Sequence, residues 1–198
     1  CYCLTPTRYL WSGYEEYFEN PILKFIAKPV VSYLKFWDKI AANRPDKFIA
    51  ISKEVQRRIK KYYGRDSEVI YPPVEFSRGP VAGFPSARTT PQQYFLVVSR
   101  LVPYKRIDLA IRAFNKLKLP LKIIGIGSQM RRLRAMAKSN IEFLGNLTDK
   151  ELVSYYSSCR ALVFPGIEDF GLTILEAQSF GKPAIVFRGG GALETVAE

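Results

Sequence analysis

The chain has no histidine in its 198 residues and only three cysteines, Cys1, Cys3 and Cys159. Imidazole is the commonest metal ligand and the usual proton carrier near neutral pH. An odd set of thiols at these separations lacks the paired spacing of a zinc site. No metal is expected, nor a disulfide framework, and a reducing cytoplasm is the natural compartment. Also missing is any run of about 18 uncharged apolar residues, so no spanning helix is expected. The first residues lack the basic then apolar pattern of a leader. Gly125 and Gly127 form G-x-G without the third glycine of a dinucleotide fingerprint, which leaves NAD unsupported and no cofactor implied.

What is present reads as a globular protein. Hydrophobic residues make up 47% and charged residues 24% of the chain, enough for one good core or two small ones. Thirty Lys and Arg against eighteen Asp and Glu give a formal charge of +12. Such a charge attracts polyanions, acidic membrane surfaces and phosphorylated substrates alike. Nucleic acid would need a recognisable module as well. The most basic stretch, RRIKKYYGR at 57–65, closes an amphipathic helix, where cations complement the helix end, so no nucleic-acid partner is expected.

From Phe95 onward short β-branched and aliphatic runs (FLVV, KIIG, IEFLG, ALVFP, AIVF) alternate with helical-period stretches such as RIDLAIRAFNKL and TDKELVSYYSS. This alternation predicts βαβ units and an α/β fold with a doubly wound parallel sheet. Thr148 and Glu151 form a capping box that predicts a helix start. Upstream, FIAIS reads as a strand, KEVQRRIKKYY as a helix and EVIYPPV as a second strand of a partial second α/β domain. We read residues 1–74 as that earlier domain and 94–198 as the main one. Residues 75–93, rich in Gly, Pro, Ser and Thr without an apolar period, read as the connection.

Residues 21–42 place Ile22, Phe25, Ile26, Val30, Leu34, Trp37 and Ala41 on one helical stripe, with Lys24, Lys28, Lys35 and Lys39 opposite and a kink expected at Pro29. Most such stripes pack against their own sheet. A basic, aromatic amphipathic helix can also lie on anionic lipid.

Glu168 and Glu176 flank a turn and the helix after it, in GIEDFGLTILEAQSFG. A helix N-terminus offers free N–H groups and a positive dipole end to a phosphate, and the two carboxylates can accept hydroxyl hydrogen bonds on either side of it. That is the layout of a nucleotide sugar: ribose, diphosphate, hexose. The plain alternative is a helix N-terminal acid plus a surface acid. Arg100 and Lys105 fall at the end of the first strand of the main domain and the opening of its helix, where two cations can clamp a diphosphate or simply form a solvated basic helix start.

These segments resemble the retaining GT-B glycosyltransferases of the large group-1 family. GIEDFGLTILEAQSFG is similar to its E-x7-E signature, VSRLVPYKRIDLAIRAFNKL to its Arg-Leu-x-x-x-Lys segment, LKIIGIGSQ to its strand and glycine turn, IEFLGNLTDKELVSYYSSC to its next strand and helix, and PAIVFRGGGALETV to its last Gly-rich turn. YCLTPTRYLW and DKFIAISKEVQRRIKKYYGRDSEVIYPPV resemble the later part of the N-terminal domain, in the look of bacterial mannosyltransferase-like members. The resemblance implies that Glu176 holds the ribose and that Glu168 sits by the transferred sugar. Arg100 and Lys105 would then steady the leaving diphosphate, with the backbone of Phe170, Gly171 and Leu172 at sugar and phosphate. Gly125 and Gly127 would let backbone approach the nucleotide, and Asn146 and Leu147 would meet the base. Gly189 to Gly191 resemble a turn beneath the phosphates, though a simple tight turn fits them equally.

Many relatives read Tyr-x-His-Thr-Pro where this chain has Tyr2-Cys3-Leu4-Thr5-Pro6, so a histidine near the reacting sugar is replaced by Leu4. Arg8 matches the pattern and reaches the acceptor side, or serves as a structural ion-pair partner. The implied partners are a nucleotide-sugar donor, GDP-mannose by whole-segment resemblance, and a glycan or lipid-linked acceptor, with peripheral contact at the inner face of the membrane. Because the chain opens on Cys1 and its last residues fall in the helix expected after Gly191, it is expected to be a piece of a two-domain enzyme, inactive alone. A non-catalytic nucleotide-sugar-binding protein and a membrane-surface scaffold are the alternatives.

Overall fold

The structure, a computed structural model, describes residues 1–14, 21–74 and 94–196. The expected connection at 75–93 lies outside the described residues. The chain divides into two compact units, Cys1–Pro73 and Val74–Glu198.

The second unit is built on five parallel strands: β4 (Phe95–Val98), β5 (Leu121–Ile124), β6 (Ile141–Gly145), β7 (Leu162–Phe164) and β8 (Ala184–Val186), following the three strands of the first unit. They lie in the order β6-β5-β4-β7-β8. In register, Leu96 of β4 pairs with Lys122 of β5 on one side and Leu162 of β7 on the other. Side chains of a strand alternate between faces, and each face here has its own core. Val97, Leu121, Ile123 and Val163 pack with Ile107, Ile111, Phe114 and Leu133 on one side. Leu96, Ile124, Leu162 and Phe164 pack with Tyr156, Ile174 and Ala177 on the other. Strands buried on both faces are expected to be nearly continuously hydrophobic; β4 (FLVV), β7 (LVF) and β8 (AIV) are, whereas β5 and β6 carry Lys122 and Glu142.

The helices of the second unit are α3 (Ile107–Leu117), α4 (Met130–Met136), α5 (Asp149–Ser158), α6 (Leu172–Ser179) and the short α7 (Ala192–Thr195), numbered after α1 (Pro21–Ala41) and α2 (Lys53–Tyr63) of the first unit. Thr148 caps α5 by the reciprocal bonds of a capping box with Glu151. Those bonds from Thr148 hold the Glu151 carboxyl below its ordinary pKa.

The first unit carries a three-stranded parallel sheet of β1 (Tyr2–Cys3), β2 (Phe48–Ala50) and β3 (Ser67–Val69), in that order. Helix α2 (Lys53–Tyr63) has Ser52 as its N-cap, accepting from the Val55 N–H, and Gly64 as a left-handed C-cap. Basic residues of this helix and of the turn after it are engaged locally. Arg58 bonds Glu54, Lys60 pairs with Asp66, and Arg65 donates to the carbonyls of Ala42, Pro45 and Asp46.

Helix α1 (Pro21–Ala41) runs through Pro29 and turns the opposite way from the usual packing rule. Ile22, Phe25, Ile26, Val30, Tyr33, Phe36, Trp37 and Ile40 are exposed, Phe25 at 79%, whereas Val31 is buried. The inward face is selected by Asp38, which accepts from Trp11 Nε1 at 2.7 Å, Tyr63 Oη at 2.9 Å and Thr7 Oγ1 at 3.2 Å. Burial and the Asp38 bond push the Tyr63 hydroxyl well above its ordinary pKa. Lys35 lies over the rings of Trp11 and Tyr14, and Lys39 over Trp11. Partly buried polar bonds and cation–π contacts, rather than the apolar stripe, thus mark the face that turns inward. Among the described residues no helix is long and apolar enough to cross a membrane.

Candidate functional site

In a doubly wound sheet the chain leaves in opposite directions from two adjacent central strands, and the carboxyl ends of those strands open onto a crevice. Here the reversal falls between β4 and β7. The segments that follow them, 99–106 and 165–171, carry Arg100, Lys105 and Glu168, and 165–171 runs directly into α6 with Glu176.

After β4 the chain forms a single 3-10 turn, Pro103–Lys105, before α3 begins at Ile107. Arg106 between them is left-handed, with φ 52°. Lys105 was expected at the opening of α3; it lies instead in this turn, because Pro103 favours a helix-like start and the Arg106 conformation breaks the path before α3. The break points the Lys105 side chain into the interior, where it is 8% exposed. Its Nζ contacts Glu168 Oε1 directly and lies over the rings of Tyr104 and Phe164, 5.2 and 5.1 Å from their centroids. Gly166 makes this contact possible: a Cβ there would meet the Lys105 Cα and carbonyl oxygen at 2.8 Å. Arg100, exposed at the crevice, donates to Tyr104 Oη at 2.7 Å. Tyr104 therefore touches both cations, and Lys105 and Glu168, read from the sequence as phosphate and sugar residues, form one ion pair.

Phe170 is buried, Gly171 is the left-handed N-cap of α6, and Leu172 is exposed. Gly171 offers no side-chain cap to the first turn of α6; its carbonyl accepts from the Ile174 N–H at 3.0 Å. Gly190 bridges to Glu168 as in a parallel pair, and the Gly191 N–H donates to the Glu168 carbonyl at 2.8 Å. The Gly189–Gly191 turn thus braces the Glu168 loop.

Glu176 accepts from Tyr156 Oη at 2.6 Å. Burial raises its carboxyl above the ordinary pKa; the Tyr156 bond opposes that rise, and Asp149 adds to it. Gly125 stands at φ 133°, and a Cβ there would collide with the Ser99 carbonyl oxygen, so the glycine turn lies directly against the segment after β4. Asn146 is exposed just beyond β6, and Leu147 packs partly onto the core. Leu4, 63% exposed, and Arg8 belong to the first unit, and the site geometry above is that of the second unit alone.

Two residues escaped the sequence reading: Tyr104, between the two cations, and Tyr156, beneath Glu176. The aromatic positions in LVPYKR and LVSYYSS were the only available signal, and aromatics at those places look like ordinary core. No group of His, Cys, Asp and Glu among the described residues could hold a metal ion.

Comparison with known proteins follows the same lines. The O-antigen chain mannosyltransferase C of Escherichia coli is 30% identical over 166 residues, covering 77% of this chain and 42% of that protein. A GDP-mannose-dependent monoacylated alpha-(1-6)-phosphatidylinositol monomannoside mannosyltransferase of Corynebacterium glutamicum is 33% identical over 114 residues, 50% of this chain and 30% of that one. HepE of Anabaena, solved in complex with UDP and glucose, superposes with a TM-score of 0.65 at 23% identity, over 83% of this chain and 50% of that structure. At that identity the likeness is one of fold, the GT-B type. The chain spans less than half the length of the curated relatives it matches. The sequence profile described as glycosyl transferases group 1 matches residues 84–198, more than half of the chain, and the protein belongs to that family.

Proposed function

We propose that the second unit binds a nucleoside diphospho-sugar and that the parent protein transfers its hexosyl group, with retention, to a glycan or lipid-linked acceptor. The observation that carries this reading is the strand-order reversal between β4 and β7, where Lys105 of the segment after β4 pairs with Glu168 of the segment after β7, with Arg100 on the first of these segments and Glu176 on the helix that continues the second. Diphosphate oxygens lie at the two cations and the N-terminus of α6, the ribose hydroxyls at Glu176, and the hexose at Glu168. In the reaction the bond between the anomeric carbon and the diphosphate oxygen breaks, and its electron pair stays on the diphosphate. The acceptor hydroxyl forms the new bond on the same face and passes its proton to that leaving oxygen. Negative charge on the diphosphate grows along this path, so attraction to Arg100 and Lys105 is stronger in the transition state than in the ground state. Glu168 orients the sugar hydroxyls and steadies positive charge at the anomeric carbon. Gly125, Gly127, Asn146 and Leu147 face the nucleoside, and Arg8 serves the acceptor side. This requires neither a metal nor a cofactor.

Two named mannosyltransferases among the relatives favour mannose as the sugar, and one of them is named as GDP-mannose-dependent, which makes GDP-mannose the donor of choice. With less than half the length of such relatives, this chain alone is expected to bind donor without turnover. Calorimetric titration with GDP, UDP, GDP-mannose and UDP-glucose, beside an Arg100→Ala/Glu176→Ala variant, tests the reading. Binding to one base class, lost in the variant, supports it; no binding by the folded wild-type chain overturns it.

The exposed stripe of α1 favours a second element, peripheral contact with an anionic membrane on the cytoplasmic side. Such contact predicts binding to vesicles containing phosphatidylglycerol that survives Glu168→Ala and Glu176→Ala but is lost on Phe25→Glu/Trp37→Glu. Vesicle binding indifferent to the α1 substitutions would refute it.

A further inference from the structure

The Tyr156 hydroxyl is a fully interior group that reaches a carboxylate of the proposed donor site. Tyr156 is 0% exposed, in the core shared by β4, β7, α5 and α6. Its ring stacks on Phe180, with centroids 5.9 Å apart and planes within 8°. A buried phenol needs an acceptor, yet packing alone does not require that acceptor to be ionisable. Here it is Oε2 of Glu176, on the helix that opens at the crevice. For Glu176 Oε1 the structure shows no hydrogen bond among the described residues. An α6 side chain that merely filled space beside Tyr156 would not need to be an acid partly withdrawn from water. The arrangement holds a carboxylate by one oxygen and keeps the other for something outside the core.

We propose that Tyr156 is a positioning residue for donor binding: its hydroxyl fixes Oε2 of Glu176 so that Oε1 accepts from the hydroxyls of the donor ribose. This rests on the donor reading given above. The groups around the carboxylate are Tyr156 and Asp149 of α5; Cys159 faces Tyr156, and Lys182 in turn faces Cys159. Asp149 and burial disfavour ionisation of Glu176, and the Tyr156 bond opposes them. Removing the hydroxyl both frees the rotamer and lets the carboxylate protonate at higher pH.

The test is calorimetric titration of the chain with GDP and UDP, then with the 2′,3′-dideoxy form of whichever binds, for wild type and Tyr156→Phe. The substitution removes one oxygen and keeps the stacked ring, and an unfolding curve of each variant accompanies the titrations. We expect about a tenfold loss of affinity for the ribonucleotide, the scale of a hydrogen bond to a charged group, and no loss for the dideoxy form. The acid limb of the affinity profile should move to higher pH. In a Glu176→Gln background Tyr156→Phe should cost nothing further. An equal loss on both nucleotides, or additive losses with Glu176→Gln, would make Tyr156 a packing residue only and overturn the proposal. Unchanged ribonucleotide affinity would overturn it while leaving the donor reading intact. If the folded wild type binds neither GDP nor UDP, the donor reading itself fails and this proposal falls with it.

Discussion

Breaking the Lys105–Glu168 pair should destabilise the second unit by an amount its burial sets. The two side chains are 10% and 16% exposed. Removing one partner of a fully buried pair costs about 3–5 kcal/mol because the survivor stays in place without its counter-charge. The remaining exposure lets water reach part of that charge, which reduces the expectation to about 2–3 kcal/mol for Lys105→Met. Glu168→Gln leaves the ammonium over the faces of Tyr104 and Phe164 with a neutral amide beside it, and should cost about 1–2 kcal/mol. In the double variant neither charge is stranded, so the two costs should fall short of additivity by about 1–2 kcal/mol. Both tryptophans, Trp11 and Trp37, belong to the first unit, so tryptophan fluorescence follows that unit alone. Denaturant unfolding followed by circular dichroism, with fluorescence recorded in parallel as a separate report on the first unit, should show the variants shifting the dichroism transition. A buried pair is weakly screened, so the coupling should persist in 0.5 M salt. Losses below about 0.5 kcal/mol that simply add would refute the reasoning, since they would mean that the pair is in effect solvated.

Glu176 gives a pH prediction of opposite sign to the ordinary carboxylate. Its folded-state pKa is raised, chiefly by burial, so its ionisation opposes folding: stability from this group is full below the unfolded carboxyl pKa and is lost as pH rises through the raised folded value. Glu176→Gln should therefore gain stability relative to wild type at pH 7, and the gain should shrink as pH falls through the acid range, while nucleotide affinity is lost. Unfolding midpoints at pH 7 and pH 4.5 check it, and a difference independent of pH would contradict it. Burial pushes the Cys159 thiol up to about 11, and Cys3 is also buried whereas Cys1 is exposed. At pH 8 an aromatic disulfide reagent should titrate one thiol quickly in the native chain and all three after unfolding; rapid labelling of Cys159 in the native chain would contradict this burial.

What was legible in the sequence was local. KEVQRRIKKYY is α2 to the residue, because Ser52 and Gly64 mark its ends with side-chain and left-handed caps. Thr148 and Glu151 likewise announced α5. EVIYPPV predicts a longer strand than forms: β3 stops at Val69, and the Ile70 N–H makes the last ladder bond to Ala50 before two prolines that have none to give. The facing of α1 was not legible, since Asp38 finds Thr7, Trp11 and Tyr63 at 31, 27 and 25 residues' distance. For the site, the carboxylates and cations could be named from spacing and resemblance. Their pairing could not, because Lys105 and Glu168 are 63 residues apart and meet only through the strand order β4 beside β7.

That pairing bears on how a charged ligand could enter a protein interior. A lone ammonium as enclosed as that of Lys105 would lose much of its hydration on folding and regain nothing until a phosphate arrived. With Glu168 against it the group stays compensated in the empty protein, and the aromatic faces of Tyr104 and Phe164 complete its shell. In the proposed complex a diphosphate would draw on the same ammonium while the attached sugar's hydroxyls occupied the carboxylate, so both members exchange one partner for another rather than being uncovered. Donor binding then draws less on desolvation than on geometry, and geometry is what the surrounding contacts supply. Arg100 is held by Tyr104, the Glu168 loop by Gly190 and Gly191, and Glu176 by Tyr156. A site arranged this way is sensitive to the tyrosines and glycines that hold its charges, and those are the residues a search for charges alone overlooks.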